Sequence, residues 1–135
     1  MKVALDTNVL VSGLLNPFGS SGEIVRMVAS EELKICYDAR ILLEYKEVLL
    51  RPKFSFNPTN VNDLLVQIEA CGLAVATIPL PKHLPDPDDE PFLEAGLAGK
   101  APYLITGNPK HYPLSKEQSI TIVSPTEFLE IYRTT

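Results

Sequence analysis

The hydrophobic positions of the chain fall into two patterns, short continuous runs and stripes at helical spacing. Five short β-prone apolar runs predict buried strands. The predicted strands cover residues 2–6, 33–37, 73–78, 103–106 and 119–123. Between and after them, apolar residues recur every three or four positions, which is typical of amphipathic helices. The predicted helices cover about 20–32, 39–50, 58–71, 89–99 and the residues from 125 onward.

Local sequence signals support several helix ends. The spacing of Ser20 and Glu23 is that of a capping box, in which each side chain bonds to the other residue's backbone N–H. Gly72 follows the third predicted helix and is suited to a left-handed stop. Ser124 is suited to cap the last helix, with Pro125 at its first position.

Strands that alternate with helices are typical of a mostly parallel sheet covered on both faces. With 135 residues, the chain is expected to form one domain over 1–135. We therefore predict an α/β fold around a mostly parallel sheet of about five strands. In open α/β sheets ligands bind beyond the carboxyl ends of the strands, so polar side chains at that edge are the first candidates for chemistry.

Composition and charge narrow the function classes. The chain is 45% hydrophobic and 21% charged, which is typical of a soluble globular domain. Its formal charge of −5 argues against a protein that coats nucleic acid non-specifically, but it is compatible with acids that hold metal ions. Cys36 and Cys71 lack the spacing of a zinc site and are expected to be buried thiols in a reducing compartment.

The apolar segments are too short for a membrane protein. No apolar run approaches the roughly 18 residues that would span a bilayer. Asp6 and Asn8 interrupt the apolar N-terminal stretch that would otherwise resemble a secretory signal. We expect a cytoplasmic protein without membrane contact.

The positions of two acids are compatible with either a structural or a chemical role. Asp6 ends the first predicted strand, where it either caps the next turn or takes part in a site with Thr7 and Asn8 as supporting partners. Glu44 lies at the margin of an apolar helix stripe, where it either pairs with Arg40 four residues earlier or points to the same site.

A cluster of acids precedes the fourth predicted helix. One acid there would serve as a cap or complement the helix dipole. Asp86, Asp88 and Asp89 exceed that need, and their mutual repulsion favours a bound cation. We expect Glu90 and Glu94, further along, to face water.

The strand over 103–106 ends in further polar residues. Thr106 is the better hydrogen-bonding candidate of this segment. Asn108 carries an amide oxygen that can ligate a hard cation, although the same residues also form a good turn. His83 and His111 lack helical His-x-x-x-His spacing and are expected to be surface residues.

An acid-rich set of this kind favours metal-assisted chemistry. The chain has no phosphate-binding Gly-x-x-x-x-Gly-Lys loop and no Gly-x-Ser-x-Gly elbow. Carboxylates suit Mg²⁺ or Mn²⁺, which activate water and neutralise a phosphodiester. Basic residues predicted to frame the acids are Lys46, Arg51, Lys53, Lys82, Lys110 and Lys116.

Four segments together resemble a known family. Residues 5–12, Glu44, residues 84–93 and residues 103–110 are similar to the motifs of the PIN domain, most closely in VapC-like toxins of toxin–antitoxin pairs. The resemblance implies a three-layer α/β/α sandwich and Mg²⁺- or Mn²⁺-dependent cleavage of single-stranded RNA. It also implies a homodimer and inhibition by a small antitoxin protein.

The resemblance assigns roles by position. Asp6, Glu44 and Asp89 match the catalytic, metal-binding acids, and Asp86 is an additional acid of the subgroup. The frequent fourth acid of the family falls at Asn108, which leaves the number of metal ions open.

Two other functions fit parts of the sequence. The amide at Asn108 would also suit a non-catalytic PIN-like domain that binds RNA or a protein partner. A phosphoacceptor, such as a receiver domain or a haloacid dehalogenase-type phosphatase, is the third candidate. It requires an acid pair or an Asp-x-Asp motif, and Asp6-Thr7-Asn8 supplies neither.

Overall fold

The computed structural model describes residues 1–113 and 119–134. Within them, five strands form one sheet in which every pairing is parallel. The strands are β1 (Lys2–Leu5), β2 (Lys34–Tyr37), β3 (Leu73–Ala74), β4 (Tyr103–Ile105) and β5 (Thr121–Val123), in the spatial order β3-β2-β1-β4-β5.

Helices cover both faces of this sheet, which confirms the predicted three-layer α/β/α fold. They are α1 (Thr7–Leu15), α2 (Ser20–Ala29), α3 (Ala39–Leu49), α4 (Pro58–Cys71), α5 (Glu90–Ala98) and α6 (Pro125–Thr134). Three short 3₁₀ turns lie at Pro52–Phe54, Pro87–Asp89 and Pro109–His111.

The central strand β1 is buried on both faces, because helices cover each side of a parallel sheet. Val3, Ala4 and Leu5 are at most 1% exposed. Ala4 allows α5 to approach closely, since a Cβ built on Gly96 of that helix would lie 3.0 Å from the Ala4 Cβ and 2.7 Å from the Ile120 Cδ1. The small residues at this contact therefore set how near α5 lies to β1.

The strand order places a topological switch point between β1 and β4. The chain leaves β1 toward β2 on one side and later returns to β4 on the other side. Such a point leaves a crevice beyond the strand ends, where ligands of α/β proteins bind. Asp6 directly follows β1, and Thr106 directly follows β4.

The structure contains one helix that the sequence pattern does not predict, and another helix begins differently from its prediction. Residues 7–15, for which the sequence pattern gave no element, form α1. The capping box predicted at Ser20 is wrong: α2 begins at Ser20 itself, after Gly19. The Ser20 hydroxyl instead lies 3.1 Å from the Thr126 hydroxyl of α6. At the last helix the prediction holds, because Ser124 Oγ accepts a hydrogen bond from the Glu127 backbone N–H at 3.1 Å.

The backbone geometry at the end of α4 and the length of the edge strand β3 also differ from the predictions. Gly72 has extended rather than left-handed geometry, with φ −81° and ψ −174°. Its lack of a side chain matters for space, since a Cβ there would lie 2.5 Å from the Ile68 carbonyl oxygen and 2.6 Å from that of Ile35. β3 spans two residues instead of the predicted 73–78, because its partner β2 ends at Tyr37.

The cysteines agree in part with expectation. Cys36 is buried, as predicted. Cys71 is only half-buried, because it lies in the last turn of α4 near the surface, and its thiol donates a hydrogen bond to Glu31 Oε1 at 3.0 Å. Both are free thiols.

Candidate active site

Asp6 lies at the junction of β1 and α1. Its backbone N–H donates to the Ile105 carbonyl at 3.0 Å, so β1 and β4 end together. Its side chain, 6% exposed, makes no capping bond to the first turn of α1. Instead, Oδ2 accepts hydrogen bonds from the Thr106 hydroxyl at 2.9 Å and from the Tyr112 hydroxyl at 3.1 Å. The carboxylate is therefore oriented by the residues that follow β4 and does not serve the local turn.

Tyr112 is a site residue that the sequence analysis did not single out. It follows the turn Pro109–His111 and is 3% exposed. Burial, together with the nearby charges of Asp6 and Asp89, raises the pKa of Tyr112 above its ordinary value. Its hydroxyl therefore stays protonated near neutral pH and remains a hydrogen-bond donor to Asp6. The available signal was an aromatic side chain in an otherwise polar loop.

Glu44 reaches the site from α3. The pairing with Arg40 that its spacing allowed is absent, since the Arg40 guanidinium contacts Asp38 at 2.7 Å and Glu94 at 2.9 Å. Glu44 accepts a hydrogen bond from the Thr7 hydroxyl. Burial raises the pKa of Glu44, and the charge of Asp6 adds to the increase, while the hydrogen bond from Thr7 opposes it.

The acids of the loop before α5 have different roles. Asp86 is exposed, and its Oδ1 accepts the Asp88 backbone N–H at 2.9 Å, so it caps the turn. Asp89 makes no capping bond. Its Oδ2 is buried without a hydrogen-bond partner among the residues that the structure describes, and His111 Nδ1 lies 3.6 Å away. Desolvation, followed by the charges of Asp6 and Asp86, raises the pKa of Asp89 to about 6.

Two acids of α5 hold the loop that carries Asp86 and Asp89. Glu94 is buried and accepts the Leu80 backbone N–H at 3.3 Å. Glu90 is half-buried and accepts the Leu84 backbone N–H at 2.8 Å. The expectation that both face water is wrong. The prolines leave this loop few backbone N–H groups, and two of those that remain, at Leu80 and Leu84, donate to the acids of α5.

Six of the eight predicted site residues line one cleft of about 550 Å³, and Thr106 and Asn108 do not line it. Acids from three segments line it, together with Thr7 and Asn8. The acids are Asp6, Glu44, Asp86, Asp88 and Asp89. Asn8 Oδ1 accepts the Gly107 N–H at 3.0 Å, and this bond joins α1 to the segment after β4.

Other predicted residues lie outside the cleft lining. The side chain of Asn108 is exposed, and its backbone N–H donates to Thr106 Oγ1 at 3.1 Å. Of the six basic residues expected to frame the acids, Arg51 lines the cleft. Lys116 lies outside the residues that the structure describes. His83 and His111 are exposed, as predicted.

The chemistry of the cleft fits a hard cation, although the side chains do not enclose one. Across residues 1–113 and 119–134, no three His, Cys, Asp or Glu side chains lie close enough together to hold a metal ion. The acids nevertheless act on one another, since Asp6, Asp86 and Glu44 all raise the pKa of Asp89. A divalent ion would relieve that repulsion and would provide a partner for the orphaned Asp89 oxygen.

The raised pKa of Asp89 predicts a pH dependence of stability in chelator. Its ordinary value is 3.8 and its folded value is about 6. Between these values the unfolded chain loses its proton first, so folding stability falls as the pH rises through this window and the loss is complete above about pH 6. Asp89→Asn removes this loss. Its gain in Tm over the wild type should be small near pH 4, grow through about pH 6 and level off above it.

Thermal unfolding followed by circular dichroism measures this difference. Asp63→Asn, which removes an exposed acid of α4, is the matched control for the loss of one carboxylate. Wild-type and Asp89→Asn curves that stay parallel from about pH 4 to 8 would contradict the assignment.

Comparison with known proteins gives a family. The family model of the PIN domain matches residues 2–110. The uncharacterized protein MJ1680 of Methanocaldococcus jannaschii is 30% identical over 142 aligned residues, which cover 96% of this chain and 90% of that protein. No solved structure gives a significant match. No helix within the described parts of the chain is long and apolar enough to cross a membrane. From its strand order, its acidic cleft and the family match, the chain belongs to the PIN domain family.

Proposed function

We propose that this PIN domain is an Mg²⁺- or Mn²⁺-dependent endoribonuclease that cleaves phosphodiester bonds of single-stranded RNA. PIN domains are generally nucleases, and they usually use divalent metals. The observation that carries the proposal is the buried Asp89 oxygen, which lacks a hydrogen-bond partner among the described residues, in a cleft that it shares with Asp6 and Glu44. A carboxylate that is buried without a hydrogen-bond partner lowers the stability of the fold. Groups kept despite such a cost are typical of active sites.

Each acid has a defined part in the proposed site. Asp6, Glu44 and Asp89 would hold the metal, with Asp86 at the exposed rim. Thr106 and Tyr112 orient Asp6, and Thr7 orients Glu44, as hydrogen-bonded partners of metal ligands commonly do. When bound, a divalent ion supplies an activated water and neutralises charge on the scissile phosphate.

The protein contributes orientation and charge to this reaction. Asp6 and Thr106 are mostly or fully buried, so their geometry is set by packing rather than by solvent. The described residues that line the cleft include no histidine or cysteine, but His111 Nδ1 lies 3.6 Å from Asp89 Oδ2. The groups placed to transfer protons are therefore the carboxylates, water and His111.

Amide substitutions of the three acids test the proposed nuclease. Asp6→Asn, Glu44→Gln and Asp89→Asn should each lower Mn²⁺-dependent cleavage of a labelled single-stranded RNA by at least about 100-fold. The reason is that even the outer partners of metal ligands are worth about 10- to 100-fold.

Glu47→Gln is the matched control, since Glu47 is exposed on the same helix as Glu44. It should cleave like the wild type. Cleavage that is indifferent to chelator, or equal in wild type and all three variants, would end the proposal.

Tyr112→Phe tests the orientation of Asp6. The phenyl ring keeps the packing but removes the hydroxyl that donates to Asp6 Oδ2. Mn²⁺ affinity, measured by titration calorimetry, should fall by about 10-fold, and kcat should fall while KM for RNA changes little. Tyr103→Phe removes a hydroxyl of a half-buried tyrosine in β4 and should leave both values unchanged. If the two variants behave alike, Tyr112 has only a packing role.

The toxin role is the finer part of the proposal. It rests on the similarity of the motifs to VapC-like toxins, which implies a homodimer and a small antitoxin that covers the cleft. A neighbouring reading frame for a small DNA-binding protein would support it. The nuclease proposal does not depend on this role.

A second candidate is a non-catalytic PIN-like domain that binds RNA or a protein partner. Two observations favour it: Asn108 stands where the family often has an acid, and the described acids do not enclose an ion. Titration calorimetry separates the two functions. A chain that binds no Mn²⁺ at millimolar concentration cannot run the proposed reaction, whereas one that binds Mn²⁺ and RNA without cleavage fits the second candidate.

A further inference from the structure

The cleft has an apolar part that a metal site alone does not explain. Besides the acids, it is lined by Val11 and Leu15 of α1, Val48 of α3, and Phe54 of the turn after α3. Leu15 is 58% exposed, so the core does not account for it. An apolar wall beside a group of carboxylates fits a ligand that has both a charged part and flat apolar faces.

Phe54 is held in a defined orientation at this wall. Its ring stacks on that of Phe56, with centroids 5.5 Å apart and planes 14° apart. Phe56 packs against the hydrophobic core, whereas Phe54 lines the cleft. Between them Ser55 has a φ of 54°, in the left-handed region that non-glycine residues seldom adopt. Ser55 thus adopts an unfavourable backbone conformation in the turn that holds the two rings together.

Positive charge accompanies the stacked rings. Among the described residues that line the cleft, Arg51 is the one cation, and it is close enough to Glu44 to oppose the rise in the pKa of that acid. The Lys53 ammonium lies 5.1 Å from the centroid of the Phe54 ring. In a chain of net charge −5, these cations make the aromatic end of the cleft the part that suits a phosphate backbone.

We propose that Phe54 is a stacking platform for a nucleobase of single-stranded RNA, with Arg51 and Lys53 contacting the neighbouring phosphates. Aromatic rings beside basic residues bind single strands in this way, because every unpaired base offers a flat face. Lys53 is exposed, so its side chain can move from the ring to a phosphate when a base stacks. The inference rests on the proposed nuclease function, and it explains why that nuclease would require unpaired substrates.

The absence of tryptophan from the sequence allows a direct test. Phe54→Trp keeps a stacking surface and adds the chain's single indole fluorophore. Titration with a short single-stranded RNA in chelator, where metal-dependent cleavage does not occur, should quench its emission. Polyphosphate, which has the charge without the bases, and duplex RNA, in which the bases are paired, should leave the emission unchanged.

Phe18→Trp is the matched control. Phe18 is 96% exposed, precedes α2 and does not line the cleft. Its indole should be indifferent to all three probes. In the otherwise native chain, Phe54→Ala should weaken binding of the single-stranded RNA by about tenfold, and Phe18→Ala should not weaken it.

The outcomes separate this inference from the nuclease proposal. Cleavage with an unchanged KM in Phe54→Ala and no quenching in Phe54→Trp overturns the stacking platform alone, and would leave the apolar wall to a protein partner. Equal quenching by polyphosphate also overturns it, because the bases would then be irrelevant. Quenching specific to single strands supports the platform, even if Mn²⁺-dependent cleavage is never observed and the nuclease proposal fails.

Discussion

The parallel pairing of β1 with β4 is the constraint on which the site depends. It aligns Leu5 with Ile105, so the next residues of both strands, Asp6 and Thr106, emerge side by side. Their side chains are joined by a hydrogen bond of 2.9 Å across 100 residues of sequence. A shift of one residue in this register would turn these side chains to the other face of the sheet. The hydrophobic burial of β1 therefore also determines the position of the acid.

The same arrangement has an electrostatic cost. Packing brings Asp6, Glu44 and the loop acids into a cleft with one lining cation among the described residues, Arg51. The raised pKa values of Glu44 and Asp89 express this cost, since burial and like charges both disfavour the ionised forms. The fold tolerates the cost because the acids are fixed from outside the cleft, Asp6 by hydroxyl groups and the loop by Glu90 and Glu94.

Much of the fold could be predicted, because hydrophobic runs and capping residues are local signals. The sheet, its five described strands and most helices follow from them. α1 was missed since its polar start, Thr7 and Asn8, resembles a turn. β3 was predicted too long because the length of an edge strand depends on its partner, which local sequence does not reveal.

The grouping of the acids in one cleft was predictable to the extent that strand ends and acid spacing are visible in sequence. Asp6, Glu44 and Asp89 do share a cleft. The role of Tyr112 depends on a contact over 106 residues, and the burial of Glu94 depends on the Leu80 N–H, so neither follows from local pattern. Asp86 and Asp89 look alike in sequence, and only the structure distinguishes the capping acid from the orphaned one.

The central claim is that Asp6, Glu44 and Asp89 bind one divalent ion together. Anomalous diffraction from crystals grown with Mn²⁺ tests this most directly, because it locates the ion without reference to activity. The account predicts a Mn²⁺ peak within bonding distance of carboxylate oxygens from Asp6, Glu44 and Asp89. Crystals with Mn²⁺ bound only elsewhere, or with these acids unchanged and no peak between them, would contradict it.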